Sequence, residues 1–199
     1  MTNVQDLVLD MTEINESPTI MTRSREDILI RDVTDKDMVR IQEIYADEVF
    51  HGVSSWEEIP PTEEELIYRR DVILAGDFPY RVALKGGEVF GYAYASSYRP
   101  RPGYRYTVEN SIYVHKDARG LGLGRLLLED LIVECESRGY RQMIAVIGDS
   151  QNKPSINFHK RMGFAQAGVI KSIGFKFGRW MDSVIMQRPL NEGSSSLPE

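Results

Sequence analysis

The amino-acid sequence predicts an α/β fold in which helices flank a mixed, mostly antiparallel sheet. Residues 85–87, Lys-Gly-Gly, separate two strand-like segments and predict an antiparallel hairpin. Residues 105–115 alternate as a strand does, and an amphipathic helix follows them. Residues 143–147 form a continuous apolar run, which predicts a strand covered on both faces and parallel to the strand before the helix. We therefore expect a parallel pair at the centre of the sheet.

Capping residues and glycines place the remaining elements. Thr34 and Thr62 each begin a predicted helix with a capping-box pattern, and Gly139 and Gly163 follow predicted helix ends. The predicted elements are, in chain order, a strand at 28–31, helices from 34 to 49 and from 62 to near 74, strands at 80–84, 88–96 and 105–115, a helix at 123–138, a strand at 143–147, a short helix at 152–163, and strands at 169–177 and 180–188.

The alternation over residues 105–115 gives this strand two different faces. The apolar face, which we expect in the core, carries Tyr106, Val108, Ile112 and Val114. The opposite face, which we expect to be mostly polar, carries Arg105, Thr107, Glu109, Ser111, Tyr113 and His115. The next helix has one apolar stripe, formed by Leu123, Leu127, Leu131 and Cys135.

Length and composition are those of one globular domain. The chain has 199 residues, of which 42% are hydrophobic and 27% charged. We expect the domain to span residues 28–190, with a flexible N-terminal extension over 1–27 and a flexible C-terminal tail over 191–199. The net charge of −6 argues against nucleic acid or an anionic membrane as a partner. An acidic N-terminal segment and a single cysteine, Cys135, favour the cytoplasm.

The turn after the key strand has the sequence Arg-x-x-Gly-x-Gly over residues 119–124 and opens a helix. Amides in the first turn of a helix lack internal partners, so a glycine-lined helix start can hold a pyrophosphate. A P-loop would need Lys and then Ser or Thr after Gly124, where Arg125 and Leu126 stand. A dinucleotide-binding turn would need a third glycine where Leu127 stands. Such a turn occurs in P-loops, in dinucleotide-binding folds and in the coenzyme A site of acyltransferases. The two exclusions leave the coenzyme A site.

Residues 119–124, following the strand that contains residues 112–114, resemble the pantetheine and pyrophosphate motif of the GNAT superfamily of N-acetyltransferases. Residues 98–101 and 107–109 are similar to the phosphinothricin acetyltransferase branch, which includes methionine sulfoximine and methionine sulfone acetyltransferases. The resemblance extends over residues 28–190. It implies a GNAT fold whose parallel strands splay apart to admit the pantetheine arm, with acetyl-CoA as co-substrate and no metal.

The resemblance also implies which residues bind the coenzyme. Backbone groups of one strand and the start of the short helix would hold the pantetheine, and the glycine turn would hold the pyrophosphate. These predicted residues are Ile112, Tyr113, Val114, Arg119, Gly120, Leu121, Gly122, Leu123, Gly124, Arg125, Asn152 and Ser155.

Two residues are candidates for proton transfer. On the pattern alone, Glu109 is a general base, a solvated glutamate or a salt-bridge partner of Arg105. The resemblance favours the base, because the corresponding glutamate is the proposed base of the branch. His159 occupies the position at which the superfamily commonly has a tyrosine that protonates the thiolate. Since an imidazole is an acid or a base near neutrality, the direction of transfer at His159 stays open.

The predicted acceptor site combines a loop with the key strand. Arg99 and Arg101 flank Pro100, and guanidinium groups match the α-carboxylate of an amino acid. The resemblance places this loop at the acceptor site together with Glu109, Asn110 and Ser111. Trp56 and the turn at residues 178–180 are further candidates for shaping the pocket.

These inferences together predict an N-acetyltransferase that acetylates the α-amine of a small amino acid or a glutamate-like analogue. Direct transfer is expected because the sole cysteine, Cys135, lies on a core stripe. Acetylation of a peptide or polyamine, and a non-catalytic coenzyme A-binding module with a regulatory role, stay open as alternatives. The expected partners are a small-molecule amine and a second copy of the chain, because relatives pair through their closing strands.

Overall fold

The computed structural model describes residues 28–198, so the predicted N-terminal extension lies outside the described residues. The strands are β1 (Ile28–Asp32), β2 (Tyr80–Lys85), β3 (Glu88–Ser97), β4 (Thr107–Val114), β5 (Gln142–Gly148), β6 (Ala165–Lys176) and β7 (Arg179–Pro189). The helices are α1 (Met38–His51), α2 (Glu63–Ala75), α3 (Leu123–Ser137) and α4 (Lys153–Arg161). None of these helices has the length and apolar content needed to cross a bilayer.

The strands form one sheet in the order β1-β2-β3-β4-β5-β7-β6, in which only β4 and β5 are parallel. These two strands pair only where Thr107–Glu109 meets Gln142–Ile144. Beyond Glu109, β4 stays paired with β3 and β5 stays paired with β7. The centre of the sheet therefore opens into a gap. The predicted mixed fold with a splayed parallel pair is confirmed.

Each face of the sheet is covered by its own helices. The predicted stripe of α3, Leu123 to Cys135, is at most 1% exposed and packs with the apolar face of β4. Helices α1 and α2 cover the other face with a second apolar cluster. The expectation of a polar second face on β4 was wrong at Tyr113, whose ring packs 5.0 Å from that of Tyr92 and 5.2 Å from that of Tyr45. Periodicity within one strand does not reveal a helix that packs on its second face.

The predicted helix starts are present: Thr34 has the full capping box, whereas Thr62 has only half of it. Thr62 Oγ1 accepts from the amide of Glu65 at 3.3 Å, whereas the Glu65 carboxylate binds Arg69 on the next turn. At Thr34 the chain first makes a short 3₁₀ turn before α1 begins, and the Asp37 carboxylate accepts from the Thr34 amide at 2.7 Å.

The end of the described chain contacts the domain. Leu190 is fully buried, and Arg141 donates to the carbonyl oxygens of Gly193 at 3.0 Å and Ser196 at 3.1 Å. The guanidinium therefore connects the segment after β7 to the start of β5.

Candidate active site

The gap between β4 and β5 continues into a cleft of about 1540 Å³. Its walls are the second half of β4, the glycine turn with the start of α3, the helix α4, and the end of α1 with the loop that follows it. Because the strands diverge here, backbone groups of β4 that would otherwise pair with β5 face this cleft.

Two glycines of the turn have backbone φ angles that other residues rarely adopt. Gly120 has a φ of 80° and Gly122 a φ of 86°, both in the left-handed region. A Cβ atom on either residue would meet no other atom within 4 Å, so this side of the turn is open to a ligand. Gly122 is the N-cap residue of α3, and no side chain caps it. Of the first-turn amides of α3, that of Arg125 donates to the Gly122 carbonyl oxygen at 3.1 Å, which leaves those of Leu123 and Gly124 for an anion.

The structure brings together nearly all the residues predicted to bind the coenzyme. Those that line the cleft are Ile112, Tyr113, Val114, Arg119, Gly120, Gly122, Leu123, Gly124, Arg125, Asn152 and Ser155. Leu121 does not line it, because its side chain packs against the core of α3. The Leu121 amide also donates to the Ala118 carbonyl at 3.3 Å.

The two arginines of the turn are paired with carboxylates that also line the cleft. Arg119 Nη2 lies 3.6 Å from Glu48 Oε2, and Arg125 Nε lies 2.7 Å from Glu129 Oε1. Both guanidinium groups are largely exposed, so these pairs are weak. A phosphate group in the cleft would compete with Glu48 and Glu129 for the two cations.

The short helix α4 directs its residues to two different places. Asn152 caps the helix, with Oδ1 accepting from the Ser155 amide at 3.3 Å, and both residues line the cleft. His159 is 3% exposed and lies behind the cleft wall. Its Nδ1 is 2.9 Å from the Ser155 carbonyl oxygen, which assigns the ring proton to Nδ1. Burial lowers the pKa of His159, partly opposed by this hydrogen bond.

Strand alternation separates Asn110 from its neighbours Glu109 and Ser111. Asn110 is buried on the α4 side of the sheet, where its Nδ2 donates to Nε2 of His159 at 3.3 Å. Its Oδ1 is buried and has no hydrogen-bond partner within residues 28–198. An unpaired buried acceptor is costly, which marks Asn110 Oδ1 as an unsatisfied polar group beside His159.

Glu109 lies at the last residue pair that joins β4 to β5, on the α1 and α2 side of the sheet. It is half-buried, and burial raises the pKa of its carboxyl group. Within residues 28–198 it has no ion pair, and the alternative partner Arg105 instead donates to the Pro102 carbonyl at 3.2 Å. A carboxylate without a cationic partner holds a proton more readily than usual, which suits a general base.

The predicted carboxylate clamp lies on an exposed loop between β3 and β4. Arg99 and Arg101 are exposed, and the Arg99 guanidinium lies 5.3 Å from the ring centre of Tyr98 and 6.0 Å from that of Tyr104. Neither arginine lines the cleft, and Pro100 lies between them at the surface.

Polar residues of β3, of α2 and of the loop before α2 lie close to Glu109 and were not predicted from the sequence. Burial raises the pKa of Tyr94, a hydrogen bond with Ser111 lowers it, and the charges of Glu109, Arg69 and Glu57 all act on it. Glu57 and Arg69 form an ion pair at 2.6 Å. Because they come from separate segments and form no local motif, only the tertiary fold reveals that they lie near Glu109.

A seven-stranded sheet with one diverging parallel pair and a glycine-lined helix start beside the gap defines a coenzyme-dependent acyltransferase of the GNAT class. The sequence profile of the acetyltransferase (GNAT) family matches residues 38–164. The chain therefore belongs to the GNAT family and is an N-acetyltransferase.

Individual relatives and a solved structure show which members of the family the chain is similar to. The chain is 51% identical over 170 residues to a phosphinothricin N-acetyltransferase of Alcaligenes faecalis, covering 85% of this chain and 86% of the relative. It is 39% identical over 168 residues to an L-methionine sulfoximine/L-methionine sulfone acetyltransferase of Pseudomonas paraeruginosa, covering 84% and 97%. The crystal structure of a phosphinothricin acetyltransferase from Sinorhizobium meliloti in complex with AcCoA matches with a TM-score of 0.84 and 45% identity, covering 87% and 94%.

Proposed function

We propose that this protein uses acetyl-CoA to acetylate the α-amine of a small amino acid or a glutamate-like analogue of the phosphinothricin, methionine sulfoximine or methionine sulfone type. One observation carries the proposal: Glu109 is half-buried, has no ion pair among the described residues, and lies where β4 and β5 part, next to a cleft that begins at a glycine-lined helix start. The named acceptors of the relatives support this choice of substrate class.

The residues of the cleft fit acetyl-CoA. Amides of the first turn of α3, with Arg119 and Arg125 beside them, would hold the pyrophosphate. Unpaired backbone groups of residues 112–114 and the side chain of Asn152 would hold the pantetheine arm. The coenzyme supplies a thioester, whose carbonyl carbon is the centre that an amine attacks.

Glu109 would make the acceptor nucleophilic. A free α-amine has a pKa of about 8 and is mostly protonated at neutral pH, so it must lose a proton before it attacks. Glu109 would accept this proton, either directly or through a water molecule. Because burial raises its pKa, the Glu109 carboxylate binds the incoming proton more strongly than an exposed glutamate does.

His159 is the proposed second residue of proton transfer. With its ring proton on Nδ1, the lone pair of Nε2 faces the amide of Asn110. This tautomer accepts a proton at Nε2 rather than giving one. The Nε2 lone pair accepts from Asn110 Nδ2, so His159 would take up a proton only after this hydrogen bond opens.

Direct transfer from the thioester to the amine is the proposed route. A covalent acetyl-enzyme would need a nucleophile, and Cys135 is fully buried with its pKa raised to about 12 by burial. Its thiol therefore stays protonated and out of reach of the cleft. Incubation with acetyl-CoA alone should leave the intact mass of the protein unchanged.

The proposal also includes a carboxylate-binding role for two arginines and a homodimeric assembly. Arg99 and Arg101 would bind the acceptor α-carboxylate, which disfavours a polyamine because a polyamine has no such group. Phe175, Phe177 and Trp180 are each more than half exposed at one end of the β6–β7 hairpin. A large exposed apolar patch favours association, so we propose that the protein is a homodimer, and we place it in the cytoplasm. Light scattering should then give twice the chain mass of 22.7 kDa.

The test is release of coenzyme A thiol from acetyl-CoA with a panel of acceptors. The panel contains phosphinothricin, methionine sulfoximine, methionine sulfone, ordinary amino acids, short peptides and polyamines. The proposal predicts the highest kcat/KM with the three analogues. A higher kcat/KM with peptides or polyamines would contradict the acceptor class, and no release with any acceptor would contradict the activity itself.

A further inference from the structure

The loop at residues 52–62, which joins α1 to α2, contacts the opposite half of the sheet through a buried lysine. Lys176, the last residue of β6, is 2% exposed. Its Nζ donates to the carbonyl oxygen of Ser55 at 2.8 Å and to that of Gly52 at 3.2 Å. One ammonium group thus binds two backbone positions of the same loop.

Two glycines let this loop approach the sheet more closely than other residues would. A Cβ atom on Gly148, at the end of β5, would collide with the carbonyl oxygen of Val53. A Cβ atom on Gly174, in β6, would collide with the indole of Trp56. Residues 53 and 56 of the loop therefore contact strands on the far side of the β4–β5 gap.

Holding a loop with a buried ammonium group costs desolvation free energy. Burial lowers the pKa of Lys176, and the charges of Glu48, Glu58 and Glu57 partly offset this effect. Lys176 forms no ion pair within residues 28–198, and its direct partners are carbonyl oxygens and the face of the Phe177 ring at 4.9 Å. An apolar side chain would fill this space without the cost of desolvation, so the amine has a use beyond packing.

The loop that Lys176 holds reaches both halves of the active site. Gly52, Val53 and Ser54 line the coenzyme cleft. The Ser55 hydroxyl lies 2.9 Å from that of Tyr45 and accepts from the Glu57 amide at 3.2 Å. Glu57 then pairs with Arg69 near Tyr94 and Glu109.

We propose that Lys176 is a positioning residue for both substrates. By fixing the loop across the β4–β5 gap, Lys176 positions one wall of the coenzyme cleft. Through Ser55 and Glu57, it also positions the Glu57–Arg69 ion pair near Glu109. This inference rests on the proposed function for the acceptor side, while the position of the loop itself is independent of it.

The kinetic test compares Lys176→Met with Lys171→Met. Lys171 is on the same strand, is exposed, and pairs with Asp182. Lys176→Met should raise the KM for acetyl-CoA and for the acceptor about tenfold each. The reason is that the loop would no longer be held in the position in which it lines the cleft. Lys171→Met should change neither. A purely structural role would reduce the folded fraction and so lower the apparent kcat with both KM values unchanged, which would overturn the proposal.

A second variant displaces the loop without removing the amine. Gly148→Ala puts a methyl group against the Val53 carbonyl, and the backbone of the loop must move. If loop position is what matters, Gly148→Ala raises the same two KM values. Normal KM values in a folded Gly148→Ala protein would contradict the proposal, even where Lys176→Met fails to fold.

A fluorescence measurement tests the loop without any acceptor. The chain has two tryptophans, Trp56 and Trp180, so Trp180→Phe leaves only the indole that lies on Gly174. In this background, Lys176→Met should increase acrylamide quenching of Trp56 about twofold, and Lys171→Met should not. Unchanged quenching would overturn the inference. Increased quenching in a protein that acetylates no acceptor of the panel would contradict only the proposed function.

Discussion

His159 is a buried imidazole between the rings of Phe158 and Phe164, whose centres lie 5.1 and 5.2 Å from its own. Its pKa is lowered by burial, so the unfolded chain binds a proton below a pH of about 6.5 while the folded protein resists protonation. The stability contribution of the neutral ring is therefore present above about pH 6.5 and lost as the pH falls through the lowered pKa.

His159→Gln should remove this dependence. The loss of unfolding free energy between about pH 7.5 and 5.5 should be smaller in the variant than in the parent, by at most about 1.4 kcal/mol, measured by urea denaturation. His51→Gln is the matched control, because the His51 side chain is exposed. An equal loss in His159→Gln and the parent would contradict the burial of a neutral imidazole.

Arg99 offers a second test at the scale of one residue. Arg99→Ala should raise the KM for an acceptor with an α-carboxylate by about ten- to a hundredfold, because a charged hydrogen-bonding pair is lost. The same amine without its carboxylate is the matched control substrate, and its KM should not change. Equal effects on both acceptors would show that Arg99 does not bind the carboxylate.

The glycine turn at the start of α3 decides how closely a phosphate approaches the helix. Gly122→Ala should lower stability by about 1 kcal/mol, because a left-handed φ is unfavourable for alanine. It should also weaken acetyl-CoA binding about tenfold or more, because the methyl group would occupy the side of the turn that is open to a ligand. Calorimetric titration and thermal unfolding measure the two effects.

Gly87→Ala separates strain from binding. Gly87 has the same φ of 86° and the same open surroundings, but it lies in the β2–β3 hairpin and does not line the cleft. It should lose similar stability and keep the acetyl-CoA affinity of the parent. If both variants bind acetyl-CoA equally, the turn does not hold the coenzyme.

Elements with local determinants were predictable from the sequence. The hairpin, the α3 stripe ending at Cys135 and the glycine turn depend on near neighbours in the chain, so spacing alone revealed them. The packing of Tyr113 was not predictable, because α1, which covers its face of β4, comes from a distant segment. His159 shares a helix face with Asn152, but at the far end of α4 this face turns behind the cleft wall.

At the scale of the whole molecule, the function depends on a sheet that is open at its centre. β4 and β5 share only a short paired stretch, and the two halves are otherwise connected by α3, by the helix-covered cores and by the loop that Lys176 holds. Residues 52–57, Glu48 and Arg69 join the site through this arrangement, and no motif marks them because each depends on packing between remote segments.

The most direct measurement of the central claim is kcat/KM for phosphinothricin as a function of pH, in the parent, in Glu109→Gln and in the control Glu88→Gln at an exposed site. The parent should lose activity at acidic pH, with an apparent pKa above the value of about 4.3 for an ordinary glutamate, because protonated Glu109 accepts no proton. Glu109→Gln should fall about 10²- to 10³-fold and lack this acidic limb, while Glu88→Gln matches the parent. A Glu109→Gln profile within about twofold of the parent at every pH would contradict Glu109 as the general base.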